Sequence, residues 1–150
     1  MKRLFCCVLS LLLIIGMLPY HANAAGNNIE TIYFQDGSYL VTEIITNGSR
    51  ASGNVTGSKP SAYYDSEGVI QWRVTLTGSF TYNGSSATCT SSSANVTIYD
   101  STWYTISKTT GKSGNTATAS VTMGKKAVGV TVAKVPISMT LECDADGNLS

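Results

Sequence analysis

The stretch "VIQWRVTLTGSFTY" repeats with a strict period of two. Ile70, Trp72, Val74, Leu76, Phe80 and Tyr82 share one parity, and Gln71, Arg73, Thr75, Thr77, Ser79 and Thr81 share the other. Successive side chains of a strand point to opposite faces, so this pattern predicts one long strand, apolar on its buried face and hydroxylated on its wet one. Asn83-Gly84 follows at once, the favoured pair for a two-residue type I′ hairpin. Counted outward from that turn, Tyr82 faces Ser85, Phe80 faces Ala87 and Gly78 faces Cys89. Ala87 and Cys89 then join the apolar face, and Gly78 leaves room beside Cys89.

The rest of the chain carries the same signature in shorter pieces. Asp36-Gly37 separates "IETIYFQ" from "SYLVTEII" as a second hairpin signal. "ANVTIYD" turns Ala94, Val96 and Ile98 inward, and "WYTISK" leads into a turn read as "TTGKSGN". "TATASVTM" alternates Ala117, Ala119, Val121 and Met123, and Pro136 between "AVGVTVA" and "ISMTLEC" marks a bulge, an edge or a crossover. The Gly/Ser-rich run "NGSRASGNVTGSK", residues 47–59, reads as a long loop. Short strands at this spacing predict an all-β fold. An immunoglobulin-like antiparallel β-sandwich is the first expectation and a small closed β-barrel the alternative.

The first residues have a separate logic. Lys2 and Arg3 precede an apolar run from Leu4 to Leu18, which Pro19 breaks before "HANA". That is the layout of a secretory signal peptide, residues 1–24, cut between Ala24 and Ala25. The apolar run falls short of the roughly 20 residues that span a bilayer, so no membrane anchor is expected. Residues 25–150 then form a single secreted, extracellular domain. Loss of Lys2 and Arg3 leaves eight basic against nine acidic residues, a net charge of −1. That balance gives no reason to expect nucleic acid or an anionic membrane as partner.

"WRVTLTGSFTYNGSSATCTSSSANVTIYDSTWY", "SGNTATASVTMGKKAVGVTV" and the ending "CDADGNLS" resemble a group of short exported proteins of Gram-positive bacteria. The resemblance implies a bacterial source and export. It brings no activity, ligand or site with it.

Chemistry is scarce in residues 25–150. His21, the single histidine, leaves with the signal, which removes every Ser-His or Cys-His pair and any imidazole ligand. No cofactor motif is present, and two cysteines do not make a four-ligand zinc site. A glycosidase-type carboxylate pair is open to Glu30, Glu43, Asp65, Glu67, Asp100 and Glu142, but no spacing brings two together. The chain is therefore read as a non-enzyme. Cys89 and Cys143 lie on inward parities in an oxidising compartment, so a disulfide between them is expected, worth about 4 kcal/mol by chain entropy; two buried thiols are the alternative.

Asp144, Asp146 and Asn148 match the first spacings of a calcium loop, but Leu149 stands where glycine belongs. They are weak metal candidates, and a polar turn ending in a mobile tail is the simpler expectation. The aromatic pairs Tyr63-Tyr64 and Trp103-Tyr104 are the candidate ligand platform, unless one member of each packs inward. Together these features predict a secreted binding or adhesion module for an extracellular glycan or protein. Self-assembly into a matrix through exposed strand edges is a second reading, and a carboxylate-based glycan-active enzyme a third.

Overall fold

A computed structural model describes residues 29–51 and 53–150 of the chain. The expected signal peptide, residues 1–24, lies outside the described residues. Nine strands follow one another: β1 (Glu30–Tyr33), β2 (Tyr39–Thr42), β3 (Ile45–Ala51), β4 (Asn54–Tyr64), β5 (Ile70–Tyr82), β6 (Ala87–Ile98), β7 (Trp103–Ser113), β8 (Thr116–Ala127) and β9 (Val130–Glu142). They form two antiparallel sheets. The first runs β1-β2-β4-β5-β6, with β3 also paired to β4, and the second runs β7-β8-β9. Each is a meander in which the chain turns back beside the strand it has just left, except that β2 and β3 follow one another along the same edge of β4.

The periodicity of β5 is realised almost as read. Trp72, Val74, Leu76 and Phe80 are buried, facing Ala117, Ala119, Val121 and Met123 of β8 and Ile137, Met139 and Leu141 of β9 in one core. Ala117 and Ala119 are the small members of the facing layer, beside Met123, Ile137, Met139 and Leu141, and this mixture of sizes lets the layers interdigitate. Gly78 makes room for the ring of Phe80 rather than for Cys89: a Cβ there would lie 2.8 Å from two ring carbons of Phe80 and 3.0 Å from Ala117 Cβ. Trp72 packs against Tyr63 and Trp103, and its Nε1–H is a buried donor with no acceptor among the described residues.

The β5–β6 connection departs from the two-residue turn. Tyr82 pairs with Ala87, so four residues form the loop, and Asn83 Oδ1 accepts the N–H groups of Ser85 and Ser86 at 3.0 and 2.9 Å. Phe80 then faces Cys89. The register shifts between Ser79 and Phe80, where Thr90 is the extra residue of a bulge. That bulge lets odd-numbered Cys89 and even-numbered Ala94 and Val96 all turn inward from one strand.

Three further segments differ from the reading above. Residues 47–59 are not a long loop, since β3 and β4 pair there from Ile45↔Ser58 to Ala51↔Asn54. Small residues hide the alternation, in which Val55 and Gly57 face inward. Pro60 sits inside β4 with its missing N–H beside Glu43-Ile44, where the β2–β3 edge is interrupted, and its carbonyl accepts Glu43 N–H at 3.1 Å. "TTGKSGN" is mostly strand, leaving Gly114-Asn115 as the turn, and β9 runs unbroken through Pro136 on a sheet edge.

The sheets do not close into a barrel. Between β6 and β7 no strand ladder forms, and lysine side chains cross the gap instead. Lys108 Nζ donates to Ala94 O at 3.1 Å and Lys112 Nζ to Thr90 O at 2.6 Å. On the other flank Lys59 Nζ donates to Thr140 O of β9 at 2.9 Å. Inward-leaning cations of this kind occupy edge carbonyls that another strand would use.

Cys89 and Cys143 do not form the expected disulfide. They flank one turn rather than each other: Cys89 N–H donates to Gly114 O at 2.7 Å and Cys143 N–H to Asn115 O at 3.1 Å. Their thiols point to carbonyls, Cys89 Sγ to Ser91 O at 3.2 Å and Cys143 Sγ to Asp144 O at 3.4 Å. Burial pushes the Cys89 thiol pKa up, as expected of a packed thiol.

The chain's last residues are not a frayed tail. Asp144–Asn148 is a tight turn, after which Ser150 exchanges both backbone hydrogen bonds with Glu142. Leu149 packs on Gly57, where a Cβ would overlap Leu149 Cδ1, and Tyr82 lies against Gly147, which has a φ of 83°. Replacing Gly57 by Ala is expected to displace this hairpin and cost about 1–3 kcal/mol. Urea denaturation measures it, and an unchanged midpoint would show that the hairpin does not seal the sheet.

Candidate ligand-binding face

The pleat divides each aromatic pair. Tyr63 and Trp103 are buried, Tyr64 and Tyr104 point outward, and these two lie on the outer faces of different sheets. No single surface holds all four residues. Inside, Tyr63 stacks on Trp72 with centroids 5.0 Å apart, and Trp103 meets both rings edge-on at 5.3 and 5.9 Å. Such pairs contribute about 0.5–1.5 kcal/mol each beyond area burial.

Gln71 organises this end of the sandwich, although it lies on the parity expected to be wet. Opposite Tyr63 and Tyr64 stand Trp72 and Ile70, so Gln71 is the extra residue of a bulge and turns inward, 5 % exposed. Its Oε1 accepts Trp103 Nε1–H at 3.2 Å. Its Nε2 donates to Asp65 Oδ2 at 2.8 Å and to Val69 O at 3.1 Å. Its backbone carbonyl accepts Tyr99 and Asp100 N–H at 2.9 and 3.1 Å. One residue, by its side chain and its backbone carbonyl, thus ties two loops to a core tryptophan, and no sequence pattern announces it.

Outside, Tyr64 belongs to a row. Tyr33 pairs with Tyr39, Tyr39 with Tyr64, and Tyr64 with Ile70, so adjacent positions on four strands share one face. Leu40 and Tyr63, one residue away, face the core. The Tyr39–Tyr64 centroids are 4.9 Å apart at 10°, and the Tyr33–Tyr39 centroids 5.6 Å apart at 40°. Centroids 4.9 Å apart exceed the roughly 3.5–4.0 Å carbon contact distance, so Tyr39 and Tyr64 stack with an offset, while Tyr33 tilts against Tyr39. Tyr33, at the sheet edge, is 73 % exposed. Tyr33 and Tyr39 were not among the residues singled out from sequence; they flank the Asp36-Gly37 turn, whose hairpin register could have paired them.

Tyr104 is arranged differently. It lies across Gly124, where a Cβ would stand 2.8 Å from its ring, and its hydroxyl hydrogen-bonds Thr131 Oγ1. Lys126 Nζ sits 4.3 Å from the ring centroid, so a cation covers this ring.

The carboxylates serve their own turns. Asp65 Oδ1 accepts the N–H groups of Glu67 and Val69 at 3.0 and 2.8 Å. Asp144 Oδ1 does the same for Asp146 and Asn148 at 2.9 and 2.8 Å, and its Oδ2 accepts Asn148 Nδ2 at 2.8 Å. "DSEGV" and "DADGN" are therefore one turn used twice, each with glycine at positive φ. Of the calcium candidates, Asp144 and Asn148 bond to each other, and Asn148 offers its amide nitrogen rather than its oxygen. A shallow cleft of about 470 Å³ crosses the outer face of the second sheet between Thr110, Thr118, Ser120, Ser138 and Thr140, and no acid or base lines it.

Charge is divided between the sheets. From Ile29 to Thr102 six acids stand against three basic residues, whereas from Trp103 to Leu141 there are five lysines and no acid. The small net charge of the whole chain, +1, is thus an average over two unlike surfaces.

No protein-family model, curated protein or solved structure matches this chain.

Two measurements check the site. The Asp36 carboxyl is held below its ordinary pKa of 3.8 by the Ser38 hydroxyl, Asp100 by the Thr102 N–H, and Asp144 by the Asn148 side chain. On acidification the unfolded chain takes up these protons first, so stability is full above pH 4 and falls as pH drops through the folded values. Melting temperature is expected to be flat from pH 7 to 5 and to decline below 4, less steeply in Asp144→Asn. Gln71→Leu is expected to cost about 1–3 kcal/mol in urea denaturation, because the Trp103 donor loses its acceptor.

Proposed function

We propose that this chain is an exported, non-catalytic β-sandwich module that binds a glycan on the tyrosine row of its first sheet. The Tyr33–Tyr39–Tyr64 row carries the reading. Three adjacent rings, exposed at Tyr33 and half-buried at Tyr39 and Tyr64, offer apolar surface to the C–H side of sugar rings, with phenol hydroxyls for the sugar's own hydroxyls. The row is built on paired strands rather than a loop, so its spacing is held without a ligand. The placement of the acids supports a non-catalytic role: Asp36, Asp65, Asp100 and Asp144 each accept hydrogen bonds within their own turn.

Two packed antiparallel sheets support comparison with immunoglobulin-like sandwiches as a way of presenting a face, while meander connections weigh against a Greek-key relation. Assembly through strand edges is disfavoured by Lys59, Lys108 and Lys112, which occupy edge carbonyls.

Affinity electrophoresis of residues 25–150 through a panel of soluble polysaccharides tests the proposal. At least one polysaccharide should retard the protein. Tyr33→Ala and Tyr39→Ala should each weaken that binding tenfold or more, about 1.4 kcal/mol, with little change in melting temperature. No retardation by any polysaccharide, or retardation unaffected by both substitutions, would overturn it.

A further inference from the structure

The β8–β9 hairpin overhangs the sandwich. Lys126 N–H donates to Thr102 O, just before β7 begins, so Ala127 and the turn beyond it have no β7 partner. At the tip Ala127 pairs with Val130, and Val128-Gly129 form a two-residue turn with φ values of 50° and 77°. Positive φ at both positions is the type I′ geometry, which favours Asn-Gly and disfavours a β-branched residue at the first position. Val128 is the one non-glycine residue with positive φ among the described residues, and it is fully exposed. No packing within the fold offsets that strain. Val130 and Val132 follow at 62 and 56 % exposure.

Lysines rim these valines. Lys125 and Lys126 precede them and Lys134 follows, with no acid between Trp103 and Leu141. Asp36 and Asp100 lie close enough to Lys125 to feel its charge, so Lys126 and Lys134 contribute most of the unbalanced charge. Val128 stands two residues beyond Lys126, roughly 6–7 Å along the strand. That reach matches the 5–10 Å by which peripheral segments enter the boundary between headgroups and acyl chains.

We propose that this tip is a peripheral docking element for a bilayer rich in anionic lipid, with Val128 and Val130 entering between headgroups while Lys126 and Lys134 sit at the phosphates. A soluble polyanion would need the lysines and not the valines. The bilayer alone uses both, and apolar contact with it rewards a strained valine where asparagine would fit the turn better.

The test uses residues 25–150, which include every described strand, in co-sedimentation with vesicles of phosphatidylcholine alone or mixed with phosphatidylglycerol. Binding is expected on mixed vesicles only, weakening as salt rises. Val128→Asn restores an Asn-Gly turn, so it should raise the melting temperature by about 2–6 °C and still lower vesicle partitioning at least fivefold. Lys126→Gln with Lys134→Gln should lower it about tenfold or more. Absence of binding to mixed vesicles overturns the proposal, as does a Val128→Asn variant that partitions like the parent chain. Equal binding to soluble polyphosphate, indifferent to Val128→Asn, would reassign the lysines to a polyanion and overturn it too. Self-association without vesicles that Val128→Asn abolishes would reassign the tip to a second copy of the chain.

Discussion

Between β6 and β7 the chain changes sheets, and no backbone ladder follows it across. The union of the two layers therefore rests on side chains: Trp72, Leu76 and Phe80 from one sheet and Val121, Met123 and Leu141 from the other, all essentially inaccessible to water. Lysines at both flanks complete what the core begins, their ammonium groups bonded to carbonyls of the opposite sheet. Everything on the outer faces depends on this arrangement, because burial of Tyr63 and Trp103 fixes which way Tyr64 and Tyr104 point.

What could be read from the sequence was what a single parity carries. The alternation in β5 gave the core face, and "TATASVTM" gave its partner. Cys89 and Ala94 have opposite parity, and a bulge at Thr90 reconciles them within one strand. Gln71 went unread because the bulge that turns it inward exists only in the pairing of β4 with β5. Residues 47–59 read as loop because Gly and Ser hide an inward-facing series in which Gly57 is filled by Leu149, over ninety residues away. The tyrosine row needs the registers of two strand pairs at once, and the chain shows only the two tyrosines of β4 side by side.

The cysteines illustrate a different limit. Inward parity placed both correctly in the core, but parity gives a direction and not a distance. The turn at Gly114-Asn115 takes a hydrogen bond from each backbone, which sets the two residues around a shared neighbour. Overall charge behaves likewise, since a total says nothing of which sheet bears which sign.

The meander has a kinetic meaning as well. Nearly every ladder joins strands adjacent in the chain through a short turn, and several of those turns carry Asp or Asn side chains already bonded to their own N–H groups. Each hairpin can close from its own turn without waiting for a distant segment, on the microsecond scale of isolated hairpins. One search over long sequence separation remains, the meeting of the two sheets across Trp72. A sandwich whose strands returned through long crossovers would meet that entropic barrier several times; this one meets it once.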